Sequence, residues 1–199
     1  MSPTEKAVVL LQQEGVLLVP TDTNYALAVD PWSVSACEKV YAIKQRDAKK
    51  PLTLFVAEPE DIWRYVELSR WQQTTLEQLM AFLPGPLNLV LPKSTLAPNH
   101  RYIKEDSISL VCNRQPALQT LLRDWGKPLA LTSANLSGVE HKGLIDHQLA
   151  ASTFGQQVDY VLPGVEANAT TTSSTIVSLI NDRLSVIRQG DIEIGEIFA

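Results

Sequence analysis

Apolar and polar positions alternate in short blocks along the chain, and the period changes from block to block. Residues 4–14 (TEKAVVLLQQE) place Ala7, Leu10 and Leu11 on one helical face, and Gly15 ends the segment. Residues 16–19 form an unbroken apolar run stopped by Pro20, the pattern of a strand buried on both faces. Residues 25–29 supply its hairpin partner or continuation. A helix is predicted over 34–45, with Ser35 and Glu38 at capping-box spacing and Cys37, Val40 and Tyr41 facing inward. Residues 51–57 (PLTLFVA) predict another buried strand, and residues 58–82 two amphipathic helices. Pro84-Gly85-Pro86 is a hard turn. Strands follow at 87–91 and 108–112, then a helix over 115–125 with Gly126 as its C-cap. A strand at 128–131 runs into a polar loop. A helix near 145–153 and strands near 158–162, 175–180 and 184–188 complete the chain.

Strands alternating with helices predict α/β layers. The link between Ile180 and Leu184 is too short for a crossover helix, so the sheet is expected to be mixed rather than all parallel. The expected architecture is a twisted mixed sheet flanked by helices, in a single domain over 1–199. Residues 163–174 (PGVEANATTTSS) are the segment expected to form a mobile surface loop.

Composition narrows the class. Apolar residues make up 45% of 199, enough for a core that needs no covalent staple. The two cysteines, Cys37 and Cys112, stand outside any CxxC or Cys/His cluster, so neither a zinc site nor a disulfide framework is expected. The N-terminus has no signal-peptide pattern and no apolar run is long enough to span a bilayer. The expectation is a cytoplasmic protein without a membrane partner. A net charge of −5 gives no global support for nucleic-acid binding, although a local basic groove is compatible with it.

Four polar clusters could carry chemistry. The first, 20–25 (PTDTNY), follows a buried strand. Its hydroxyls suit a ligand's amine, carboxylate or phosphate, and Asp and Asn also favour plain turns. The second, 44–50 (KQRDAKK), carries four cations at a helix end. They suit a triphosphate, or they complement the helix dipole. The third, 131–138 (LTSANLSG), lies after an apolar strand, where α/β proteins place ligand loops, or is an Asx or Ser/Thr turn. The fourth joins Ser173-Ser174-Thr175 with Arg188-Gln189-Gly190. No GxGxxG, GxxxxGK[ST] or GxSxG motif occurs. None of the three histidines pairs with a nucleophile. An enzyme built this way works by positioning and electrostatics rather than through a covalent intermediate.

In their order, PTDTNYAL (20–27), KQRDAKKPL (44–52), LPGPLNLVL (83–91), GKPLALTSANLSG (126–138), SSTIV (173–177) and VIRQG (186–190) resemble the YrdC-like family. The resemblance spans residues 8–190. It implies a YrdC-like fold with a concave basic groove, and a threonylcarbamoyl-AMP synthase reaction. In that reaction threonine and bicarbonate form a carbamate, which attacks the α-phosphate of ATP and releases pyrophosphate. Mg2+ is expected with ATP. The adenylate passes to a tRNA-modifying transferase complex that makes N6-threonylcarbamoyladenosine, and tRNA itself is a possible partner. Carried over by position, Thr21, Thr23 and Ser174 face threonine and bicarbonate. Lys44, Arg46, Lys50, Ser107, Ser133, Asn135 and Arg188 bind ATP, with Lys44, Arg46, Ser133 and Asn135 as the catalytic set.

Three positions depart from the family pattern. Val111 stands where the family has an Arg that holds the threonine carboxylate, a bidentate pairing that Val cannot make. Arg114 follows three residues later, on the opposite face of a strand. Ala26 replaces a common Gly, and Asn88 a common Thr. Two other readings therefore stay open: a nucleotide- or RNA-binding module on the same fold, and a paralogue that uses a different amine acceptor.

Overall fold

The computed structural model of the chain describes residues 1–138, 143–164 and 170–195. Nine strands among them form one sheet: β1 (Leu17–Val19), β2 (Ala26–Val29), β3 (Thr53–Val56), β4 (Leu87–Pro92), β5 (Ser107–Cys112), β6 (Leu129–Ser133), β7 (Tyr160–Val161), β8 (Thr175–Ser178) and β9 (Ser185–Arg188). Their order is β7-β1-β2-β6-β3-β5-β4-β8-β9. The β1/β7, β3/β5 and β4/β8 pairs are parallel and the others antiparallel. The sheet is mixed, as the short links require, and β1–β2 is a hairpin pair.

The helices are α1 (Pro3–Gln12), α2 (Val34–Lys44), α3 (Arg70–Leu79), α4 (Pro116–Trp125) and α5 (His147–Phe154). Ser2 and Glu5 close a capping box on α1, and Gly126 caps α4 at φ 76°. The cap of α2 is Ser33 rather than Ser35: its hydroxyl accepts from Ala36 N, because the helix begins one residue before Ser35. The first of the two helices expected over 58–82 is a 310 segment, Pro59–Tyr65, and only α3 is α-helical. Of residues 163–174, 165–169 lie outside the described residues. The described part is tied down: Thr170 Oγ1 donates to Asp22 O at 2.8 Å, and Thr171 binds the Asp191 carboxylate.

Coverage of the sheet is uneven, and this positions the site. On one face Leu27, Leu54, Leu89 and Leu110 pack with Val40 of α2, Leu76 of α3 and Phe154 of α5. On the other, Leu17, Ala28 and Leu129 pack under Ala7 and Leu11 of α1 and Leu121 of α4. That second cluster stops at β3. Beyond it β4 alternates buried and half-exposed residues (Leu87, Leu89 and Leu91 in; Asn88 and Val90 half out). The uncovered half of this face is the floor of a groove.

Candidate active site

The groove holds two adjoining cavities of about 280 and 640 Å3 that share Arg46, Thr53, Asn88 and Ile176. The smaller collects four of the sequence clusters. Thr21 and Thr23 come from the β1–β2 connection, Arg46 from just past α2, Ser133 from the end of β6, Ser174 from just before β8 and Arg188 from the end of β9. The larger is lined by Lys50 and Ser107, with apolar walls that include Pro51, Val90, Ile103 and Ile187.

Each loop is held by side-chain ties. Thr21 Oγ1 donates to Asn24 O at 2.5 Å and accepts from Thr23 N at 3.1 Å. Asn24 reaches across the groove, donating to Ser173 Oγ at 3.2 Å and accepting from Ile145 N at 2.8 Å. Asp22 is buried behind this turn and accepts from Asn113 Nδ2 at 2.6 Å; burial pushes its carboxyl up, against the hydrogen bonds that oppose it. Ser133 Oγ donates to Asn135 Oδ1 at 2.7 Å. Arg188 Nε donates to Ser174 O at 2.9 Å. A Cβ on Gly190 would lie 2.4 Å from Ser173 O, so glycine alone lets β9 end against the Ser173–Ser174 backbone.

Lys44 and Asn135 line neither cavity. Lys44 is 1% exposed, and its Nζ donates to Ser133 O and, at 2.7 Å, to Asn135 O. Burial, then the nearby charges of Arg46 and Lys50, push its amine down to about 7. Its place is behind the Ser133–Asn135 loop, because the last turn of α2 points it under β6. Arg46 does face the cavities, donating to Lys50 O at 3.1 Å and Pro51 O at 3.0 Å. Neither Arg46 nor Arg188 forms an ion pair with a described carboxylate. Both are cations left facing an open groove, the arrangement an anionic ligand requires.

Motif reading missed Thr53 and Ser109 of the groove face and noted Asn88 only as a departure from the family pattern. Thr53, Asn88 and Ser109 form a hydrogen-bonded chain across β3, β5 and β4, with Ser109 Oγ donating to Asn88 Oδ1 at 2.6 Å. The signal was available: each is a polar residue at an alternate position of an otherwise apolar strand. Val111 is 3% exposed and sits in the cavity floor. Arg114 lies past the end of β5, exposed and outside the cavity lining.

The family model for Sua5, YciO and YrdC, described as telomere recombination, matches residues 9–190. The chain belongs to the Sua5/YciO/YrdC family. A threonylcarbamoyl-AMP synthase of Yersinia enterocolitica is 37% identical to this family member over 130 residues, 65% of this chain and 68% of the relative. One from Vibrio vulnificus is 30% identical over 164 residues, 82% of this chain and 87% of the relative. The solved structure of P. abyssi Sua5 complexed with L-threonine superposes with a TM-score of 0.85 at 24% identity, over 98% of this chain. This chain spans only 56% of that Sua5, so the likeness is one of fold over the shared part. Among the described residues of this Sua5/YciO/YrdC chain, no helix is long and apolar enough to cross a membrane.

Proposed function

We propose that the groove is the active site of a threonylcarbamoyl-AMP synthase, a nucleotidyltransferase acting on threonine, bicarbonate and ATP. The observation that carries it is the pairing of two uncompensated cations, Arg46 and Arg188, with the hydroxyl-bearing loops of Thr21, Thr23, Ser133 and Ser174 around one cavity. The curated relatives with that name support the assignment. Threonine's amine and bicarbonate give a carbamate and water. The carbamate oxygen attacks the α-phosphorus of ATP and pyrophosphate leaves.

In this reading Arg46, Lys50 and Arg188 hold the polyphosphate and offset the charge that builds on the leaving pyrophosphate. The apolar walls of the larger cavity, with Ser107, accept the nucleoside end. Asn135 acts through Ser133, and Lys44 acts through both by fixing their backbone. Thr23 and Ser174 face the acceptor. Mg2+ arrives as the ATP complex. The adenylate is handed in the cytoplasm to the complex that modifies tRNA.

The test is to incubate the chain with ATP, Mg2+ and bicarbonate, with and without threonine, and to follow pyrophosphate and adenylates by mass spectrometry. A threonine-dependent threonylcarbamoyl-AMP peak is expected. ATP binding with no amine-dependent pyrophosphate release would sink the synthase assignment and favour a nucleotide-binding module.

A further inference from the structure

The two cavities of the groove meet at a neck lined by Arg46, Thr53, Asn88 and Ile176, the residues common to both. Arg46 is the cation of the neck, and its Nε and Nη2 are engaged by the Lys50 and Pro51 carbonyls. Thr53, Ser109 and Asn88 form a hydrogen-bonded chain whose direction is fixed. Ser109 Oγ donates its one proton to Asn88 Oδ1 at 2.6 Å. In the Thr53–Ser109 contact at 3.2 Å the donor is therefore Thr53 Oγ1. Both hydroxyl protons are spent, and the chain ends on the amide oxygen of Asn88. That amide is held with its oxygen toward Ser109, and its two Nδ2 protons have no partner among the described residues. Asn88 is half-buried on β4, across from Ile176 of β8, which in turn stands across from Arg188 of β9. The neck thus presents a neutral double donor, oriented in advance on a strand, beside the Arg46 cation.

We infer that Asn88 is a catalytic residue of the transfer, its Nδ2 donating to a non-bridging oxygen of the ATP α-phosphate at the neck between the nucleoside and acceptor ends of the groove. The α-phosphorus carries the ribose on one side and receives the carbamate on the other. With the nucleoside in the larger cavity and the acceptor in the smaller, it lies where the two meet. The transfer step rests on the synthase reading; the contact with the α-phosphate requires only a bound nucleotide. In the step, the carbamate oxygen forms a bond to the α-phosphorus. The bond from that phosphorus to the bridging oxygen of pyrophosphate breaks, and its electron pair leaves with pyrophosphate. Asn88 gives up and takes no proton. It offers hydrogen bonds to the α-phosphate oxygens as their charge shifts, and because Ser109 already holds its amide, no reorganisation is needed at the moment of reaction.

The experiment measures binding of AMP, adenosine and inorganic pyrophosphate by calorimetry, together with threonine-dependent pyrophosphate release from ATP, in the intact chain and in Asn88→Leu. Asn88→Leu is expected to weaken AMP about tenfold or more, the loss of a hydrogen bond to a charged group, with adenosine and pyrophosphate affinities unchanged. The kcat for pyrophosphate release is expected to fall about a hundredfold, as when one oxyanion donor is removed. Asn88→Asp keeps the side-chain shape and an acceptor for Ser109, and carries the test if the leucine variant does not fold. It should weaken AMP further still and leave adenosine unchanged. AMP and adenosine weakened equally, AMP unchanged in both variants, or pyrophosphate weakened in place of AMP would each overturn the inference. So would AMP binding no tighter than adenosine in the unsubstituted chain. Selective loss of AMP affinity in a protein that releases no pyrophosphate would support the α-phosphate contact while removing the synthase reading.

Discussion

Lys44 is a buried cation with no anionic partner: the groups nearest its charge are Arg46 and Lys50, and its hydrogen bonds go to two carbonyls. A neutral amine still carries two N–H donors, so losing the proton keeps both bonds and removes the burial penalty. Lys44→Met strands both carbonyls and is expected to lower stability by about 1–3 kcal/mol in urea unfolding at pH 8. The pH dependence has a definite sign. With the folded pKa at about 7 against 10.5, the unfolded chain holds the proton and the folded chain does not between those values. Stability therefore rises with pH across that window. The margin of the unsubstituted protein over Lys44→Met should widen from pH 7 towards 10, and a margin that narrows would show that Lys44 stays charged when buried. Arg46 is the opposite case. Its hydrogen bonds go to the Lys50 and Pro51 carbonyls, which water can reach when it is removed, and its guanidinium lies 5.8 Å from the centre of the Tyr41 ring. Arg46→Ala should weaken ATP binding tenfold or more by calorimetry, while costing less than about 1 kcal/mol of stability. The reverse pattern would make Arg46 a brace for its loop.

At the level of elements, most of the sheet and its helices are legible in the sequence, because buried strands and capped helices leave local marks. The Ile180–Leu184 link fixes an antiparallel β8–β9 pair, and Gly126 ends α4 where its left-handed φ allows. The 310 segment Pro59–Tyr65 is less legible: its apolar spacing fits an α-helix, and only packing of Ile62 and Tyr65 on the core selects the tighter turn. The ties of the Thr170–Ser174 segment are not local at all. The Asp191 carboxylate accepts from Thr171 N at 2.7 Å and from Thr171 Oγ1 at 2.6 Å, a contact across 20 residues that no periodicity announces. Those bonds hold its carboxyl below the usual value of 3.8, so the tie is intact above that pH and is lost only as pH falls through the lower folded value. Asp191→Ala should speed hydrogen exchange at the Thr171 and Thr172 amides and raise the KM for the amine, with the thermal midpoint unchanged. A midpoint that drops with no change in exchange would place Asp191 in the global fold instead.

For the whole molecule, the decisive feature is a sheet that is covered on one face and half covered on the other. The sequence motifs name the rim of the resulting groove, but the floor is set by which strands lie side by side. Phe55 and Leu131 are ordinary core residues in sequence, and with Val111 they line the cavity because α1 and α4 stop short of β5. The same architecture makes a test of cooperativity. Cys37 on α2 and Cys112 on β5 are fully buried in the core of the covered face, and burial pushes both thiols up to about 12. Neither is a nucleophile while the fold is closed. Labelling by a thiol reagent then reports the open population of the chain. A ligand in the groove that binds only the folded state, at a hundred times its Kd, stabilises by about 2.7 kcal/mol. If the uncovered and covered faces unfold as one unit, saturating ATP should slow labelling of both cysteines about a hundredfold and equally, read by mass spectrometry of quenched samples. Slowing at Cys112 alone would mean that α2 opens separately from the sheet, and that Arg46, just beyond its last turn, is delivered to the phosphates by an element able to move independently of the groove floor.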